Sequence, residues 1–263
     1  MKDLQKASLL KRFSAFLLDG VLIFVVFIAL MLFTSWAFGY DAKLDSLENR
    51  MQIIHNNHRI DELEEKHKVS FNNYPYLTEE EIDKLPEEVV NAFEACYKEL
   101  NEDTQSIKLY ETIMTLSLMI VSFSLLGAFL LLEFAIPLLL KNGQTLGKKM
   151  FSLAVMRTDS VKISTKVLFI RAILGKYTIG TMVPVLMLLC LGFGMAPIMP
   201  LMILLLVFLL QIVLMITSKT NSPIHDSLAS TVVVDFLSQK IFETAEERDQ
   251  YRLSIHNEDE KEE

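Results

Sequence analysis

"IMTLSLMIVSFSLLGAFLLLEFAIPLLL", residues 113–140, carries one ionisable side chain, Glu133. A helix needs about 20 apolar residues to cross roughly 30 Å of hydrocarbon, so this block reads as a single membrane crossing. Two further blocks behave the same way. "FSAFLLDGVLIFVVFIALMLFTSWAF", residues 13–38, contains only Asp19, and residues 178–217 contain no ionisable side chain. The last block is long enough for two crossings and is broken by "GFGMAPIMP" (192–200). A soluble domain with 51% hydrophobic residues would scatter them in short periodic sets; here they stand in charge-free blocks. The expected fold is therefore an all-α integral membrane protein with four transmembrane helices and a helical extracellular insertion between spans 1 and 2.

Orientation follows from Lys and Arg, because cytoplasmic connections are enriched in them. The N-terminus has Lys2, Lys6, Lys11 and Arg12. The connection after span 2 has Lys141, Lys148, Lys149, Arg157, Lys162, Lys166, Arg171 and Lys176 against Asp159. Both are expected in the cytoplasm, which leaves the acidic segment 39–112 outside and returns the C-terminus inside. The first apolar block is longer than the 7–15 residues of a cleavable signal, so it reads as an uncleaved anchor. Cys96 and Cys190 fall in different compartments and are not expected to pair.

Four segments result: residues 1–38 (N-terminus and span 1), 39–112 (acidic insertion), 113–235 (membrane core) and 236–263 (charged cytoplasmic tail, expected to be frayed). In the insertion, Leu44, Leu47, Met51 and Ile54 recur at helical spacing. Thr78 and Glu81 have capping-box spacing. Pro86 opens a helix with Val89, Val90, Phe93 and Tyr97 in one stripe, running into span 2 with or without a break near Asp103. Leu153 and Val155 suggest an extended piece. "KVLFIRAILGKY" (166–177) suits a helix lying in the interface with its cations toward headgroups. Ser222 and Pro223 mark a helix start.

"KNGQTLGKK" (141–149) has the look of a phosphate loop, but its glycines are one residue too close. Lys149 also stands where the hydroxyl should be, and a membrane helix precedes it instead of a strand. It reads as a turn ending span 2, with Lys148 and Lys149 among anionic headgroups. His55, His58 and His67 lie amid acids, yet exposed polar histidines are commoner than metal ligands. His225 beside Asp226 lacks a nearby nucleophile, so hydrolase chemistry is not expected. No cofactor, metal site or nucleic-acid partner is expected, and nothing marks the chain as an enzyme. The basic connection is confined between spans, where the lipid bilayer and its anionic headgroups are the natural partners.

"KRFSAFLLDGVLI", "NGQTLGKKMFSLAVMRTD" and "SPIHDSLASTVVV" together resemble the RDD family of bacterial membrane proteins. The resemblance matches Arg12 and Asp19 to the family's first motif, Asp226 (after His225) to its second aspartate, and Gly143, Gln144, Thr145, Leu146, Gly147 and Lys148 to the intervening turn. It implies a multi-pass protein of the bacterial cytoplasmic membrane. For that family transport, including sodium–proton exchange, has been suggested. The acidic insertion is longer than the connection expected there.

Depth adds a reading of its own. At about 1.5 Å per residue, Asp19, Glu133 and Gln211 all lie roughly 10 Å from the same membrane face. Buried polar groups at matched depth should face inward and find partners. Asp19 is expected to meet Glu133, Gln211 or a water, and Arg12 to meet Asp226 or headgroups. If the two acids are close, one should hold its proton, which suits cation–proton exchange. The competing reading is a polar layer that only fixes helix packing. At the level of function, transport competes with a non-transporting scaffold or accessory subunit whose insertion binds an extracellular protein. Because the outer halves of the spans carry no ionisable group, an exchanger would be a homo-oligomer.

Overall fold

The structure, a computed structural model, describes residues 7–140, 142–192, 198–218 and 222–262. The cations at Lys2, Lys6 and Lys141 and the middle of the "GFGMAPIMP" break lie outside those residues. In chain order the helices are α1 (Leu9–Ala37), α2 (Tyr40–Asn57), α3 (Ile60–His67), α4 (Glu79–Ile82), α5 (Glu87–Glu102) and α6 (Thr104–Leu140). After them come α7 (Leu146–Met150), α8 (Thr165–Leu191), α9 (Ile198–Thr217), α10 (Ile224–Leu228) and α11 (Ala245–Glu262). Two strands, β1 (Leu153–Arg157) and β2 (Thr231–Asp235), complete the set.

Three helices, α1, α6 and α8, are long and apolar enough to cross a membrane, and α9 contributes a shorter apolar stretch, Ile198–Leu214. Their surfaces agree with a lipid surround. Phe16, Leu17, Val21, Phe24 and Val25 of α1 are exposed, as are Leu201, Met202, Leu205 and Leu206 of α9. An apolar surface of that extent is not kept in water.

The chain divides into two compact units, residues 31–121 and residues 1–30 with 122–263. Residues 31–121 close around Ile54, Ile60, Leu63, Phe71, Tyr74, Val89, Phe93 and Cys96. Phe71 stacks on Tyr97 with ring centroids 4.2 Å apart and meets Phe93 edge-on. Val89 and Phe93 of the expected stripe are in the core, and Leu44, Leu47 and Met51 are half-buried. The Thr78–Glu81 capping box forms. The helix breaks at Asp103, whose carboxylate accepts from Ser106 N at 2.9 Å and is gripped by both arms of Arg50 at 2.7 and 3.0 Å. Those donors, Arg50 first, hold the Asp103 carboxyl well below the usual range. Burial pushes the Cys96 thiol up to about 11. His58 pairs with Glu99, and His55 packs against Phe71. Among the described residues no group of three or more His, Cys, Asp or Glu is placed to hold a metal.

In the other unit, β1 and β2 pair antiparallel, Leu153 opposite Asp235 through Arg157 opposite Thr231. One face buries Leu153, Val155 and Val233 with Ala7 and Ala15; the other buries Ala154, Met156, Val232 and Val234. With both faces covered, the strands carry continuous apolar runs in place of alternation. The extended piece at 153–155 was legible in the sequence; its partner, "TVVVD", was not.

Two expectations change. Residues 166–177 are no separate interfacial helix: they are the first turns of α8, continuous with the apolar block. The segment does so by winding as a π-helix over Ile170–Met182. The tail, expected to be frayed, is helical over Ala245–Glu262, a stretch rich in the good helix formers Glu, Arg and Ala.

Candidate functional site

Asp19 sits near the start of α1 and is buried although charged. What meets it is the turn after α6. Asn142-Gly143 reverses the chain, with Gly143 at φ +61°, where a Cβ would also stand 2.8 Å from Ile163. Gln144 then donates to Leu153 O at 2.7 Å, tying the turn to β1. Thr145 caps α7, its hydroxyl accepting from Lys148 N. The same hydroxyl donates to Asp19 Oδ2, and Gly147 N donates to Asp19 Oδ1 at 2.8 Å. Position 147 needs glycine for contact with α1: a Cβ there would lie 2.4 Å from Ala15 O and 2.8 Å from Asp19 Oδ1. Lys148 folds back into this pocket. Its ammonium donates to Thr145 Oγ1 at 3.0 Å and stands 3.5 Å from Asp19 Oδ2.

Glu133 lies in a π-helical turn of α6, Leu130–Ala135. One carboxylate oxygen accepts from Lys176 Nζ; the other, Oε2, is buried with no hydrogen-bond partner among the described residues. Asp226, in α10, accepts from Arg171 Nε at 2.6 Å and from Thr231 Oγ1 at 3.0 Å. Arg171 and Asp226 are each only 2% exposed. The π winding of α8 makes this double engagement possible. On an α-helix, residues five apart are turned by about 140°, since each residue advances about 100°. In a π-helix the hydrogen bonds themselves join residues five apart, so Arg171 and Lys176 share one face. Thr181 Oγ1 donating to Lys176 O shows that i→i−5 pattern directly. Gly175 lies on the same buried side and lets α10 approach: a Cβ there would be 2.5 Å from His225 Cβ.

Outside the membrane-length helices the electrostatics follow from these contacts. Burial, aided by the nearby charges of Lys176 and Arg171, lowers Lys148 to about 8, against the pull of Glu133 and Asp19. Burial lowers His225 to about 3, so its ring is neutral although Nε2 is 3.7 Å from Asp226. Burial alone would raise the Asp226 carboxyl, but Arg171 and its other partners outweigh it and hold it below the ordinary range.

Several expected partnerships are replaced. Asp19 meets neither Glu133 nor Gln211; each acid has its own cation, so the proton-sharing pair is not formed. Gln211 Oε1 instead takes a long hydrogen bond from Ile224 N, at the start of α10. Arg12 Nη2 donates to Val233 O at 2.7 Å while Arg171 occupies Asp226. Lys148, Arg171 and Lys176, read as headgroup cations, are the inward partners of the acids. The signal was present: an acid buried among apolar helices requires a cation, and only the basic connection could supply three.

These features define a helical membrane protein whose helix ends enclose a compact layer of paired charges. The chain belongs to the RDD family, whose model matches residues 6–230, the span that holds Arg12, Asp19, the Gly143–Lys148 turn and Asp226. No curated protein and no solved structure matches it.

Proposed function

We propose that this RDD protein exchanges a monovalent cation for a proton across a cell membrane, working through the buried charge layer. The observation that carries the reading is three acids, Asp19, Glu133 and Asp226, each under 7% exposed and each facing its own buried or half-buried cation. Burying such pairs costs several kcal/mol per ion before their attraction is counted, and apolar residues of the same size would pack as well or better. A packing role alone therefore favours their replacement, whereas ion handling requires them. Glu133 and Lys176 also sit in π-helical segments, which in long helices concentrate at functional sites.

The topology that fits is four crossings, α1, α6, α8 and α9, with both termini and the basic connection in the cytoplasm and residues 39–112 outside. Assembly of several copies would supply the route across the outer half of the bilayer. Residues 31–121 favour a second reading, a scaffold: they have their own aromatic core and so can present a surface to an extracellular protein. Sodium- and pH-reporting vesicles carrying the purified protein separate the two. Exchange is expected with the wild type and not with Asp19→Asn; wild-type vesicles that stay silent under both gradients refute the exchange reading.

A further inference from the structure

Lys148 has more donors than its position uses. Its ammonium offers three N–H groups, one of which goes to Thr145 Oγ1 at 3.0 Å. The nearest oxygen of Asp19 is at 3.5 Å, an ion pair but a poor hydrogen bond. Asp19 does not depend on it, because Thr145 Oγ1 and Gly147 N already donate to both carboxylate oxygens. Lys148 thus neutralises Asp19 without positioning it. Glu133 from α6 acts on the same ammonium favourably, while Arg171 and Lys176 from α8 repel it. Beyond Arg171 stand Asp226 and the neutral His225 of α10. Glu133 meanwhile keeps Oε2 without a donor among the described residues.

We propose that Lys148 is a tethered competitor for a monovalent metal cation at Asp19, and that this lysine, not a carboxylic acid, carries the exchanged proton. This rests on the exchange reading and names its proton carrier. When the cation takes the Asp19 carboxylate, the N–H bond of the Lys148 ammonium breaks, the proton passes to water, and the amine remains neutral. One positive charge enters as one leaves, so the buried layer keeps its net charge. When the cation departs, the amine regains a proton from water and again neutralises Asp19. Glu133 Oε2 is a free acceptor for the incoming ion.

The geometry predicts opposite effects from two substitutions, which a merely structural lysine would not give. Lys148→Gln removes the competitor; Lys148→Arg makes it permanent, since guanidinium does not deprotonate in proteins. Binding of radioactive sodium to the full-length purified protein would be measured from pH 6 to pH 9, with vesicle exchange measured alongside. In the wild type, affinity should rise about tenfold per pH unit until Lys148 is neutral, the slope of one linked proton. In Lys148→Gln it should be tight and flat with pH; in Lys148→Arg it should be weak throughout; Asp19→Asn should bind nothing. A pH slope that survives in Lys148→Gln, or no wild-type binding at any pH, overturns the proposal. Sodium binding with the expected slopes but silent vesicles would instead sink the exchange reading and leave the competing lysine standing.

Discussion

The Arg171–Asp226 pair offers the sharpest test of how this layer is built. Both side chains are buried and joined at 2.6 Å, with Thr231 as the second donor to the same oxygen. Replacing Arg171 with Met leaves a carboxylate buried without its cation, and Asp226→Asn leaves a buried guanidinium without its anion. Each change should cost about 3–5 kcal/mol, the usual penalty for orphaning one member of a buried pair. The double variant removes both charges at once, so its cost should fall short of the sum by about 3 kcal/mol. Equilibrium unfolding by SDS in mixed micelles, followed by circular dichroism, measures all four corners of the cycle. A parallel cycle with Arg12→Met should give a much smaller coupling, because Arg12 donates to Val233 O and reaches Asp226 only through its field. Equal coupling to Arg12 and Arg171, or single variants as stable as the wild type, would refute the assigned pairing. The pH dependence has a definite sign. Asp226 is held below the ordinary carboxylate range, so the pair's contribution is full above about pH 4 and is lost as pH falls further. Wild type and Asp226→Asn should therefore converge in acid.

Gly147→Ala forces a methyl group into Ala15 O and Asp19, and should cost about 1–3 kcal/mol from overpacking with a weakened bond from residue 147 N to Asp19; thermal unfolding within 1 °C of the wild type, roughly, would contradict it. Phe93→Ala empties the centre of the 31–121 core, and a loss of about 3–5 kcal/mol should show as rapid proteolysis of that unit while vesicle exchange is retained. With Cys96 and Cys190 replaced, a cysteine at the exposed Tyr76 should react with an impermeant maleimide on intact cells, and one at the exposed Leu237 only after lysis; the reverse pattern would invert the proposed topology.

The sequence by itself was enough for everything that depends on composition along the chain. Membrane-length helices are legible because a bilayer crossing needs an uninterrupted apolar run, which 13–38 and 113–140 supply without reference to anything distant. The Thr78–Glu81 box, the Val89–Phe93 stripe and the break at Asp103 are likewise local. Matched depth also pointed correctly to Asp19 and Glu133 as buried polar groups. Which charge meets which was decided only by tertiary structure. Asp19 joins a turn more than a hundred residues away, Asp226 takes Arg171 in place of Arg12, and Glu133 takes Lys176. The physical reason is that side-chain direction depends on the winding of the helix, not on the identity of its residues. A helix read at 3.6 residues per turn sends Arg171 and Lys176 to different faces; wound as a π-helix, it turns both inward, and no residue of "IRAILGKY" announces that choice. β2 was hidden for a related reason: "TVVVD" becomes a strand because β1 lies beside it, and that neighbour is nearly eighty residues earlier in the chain.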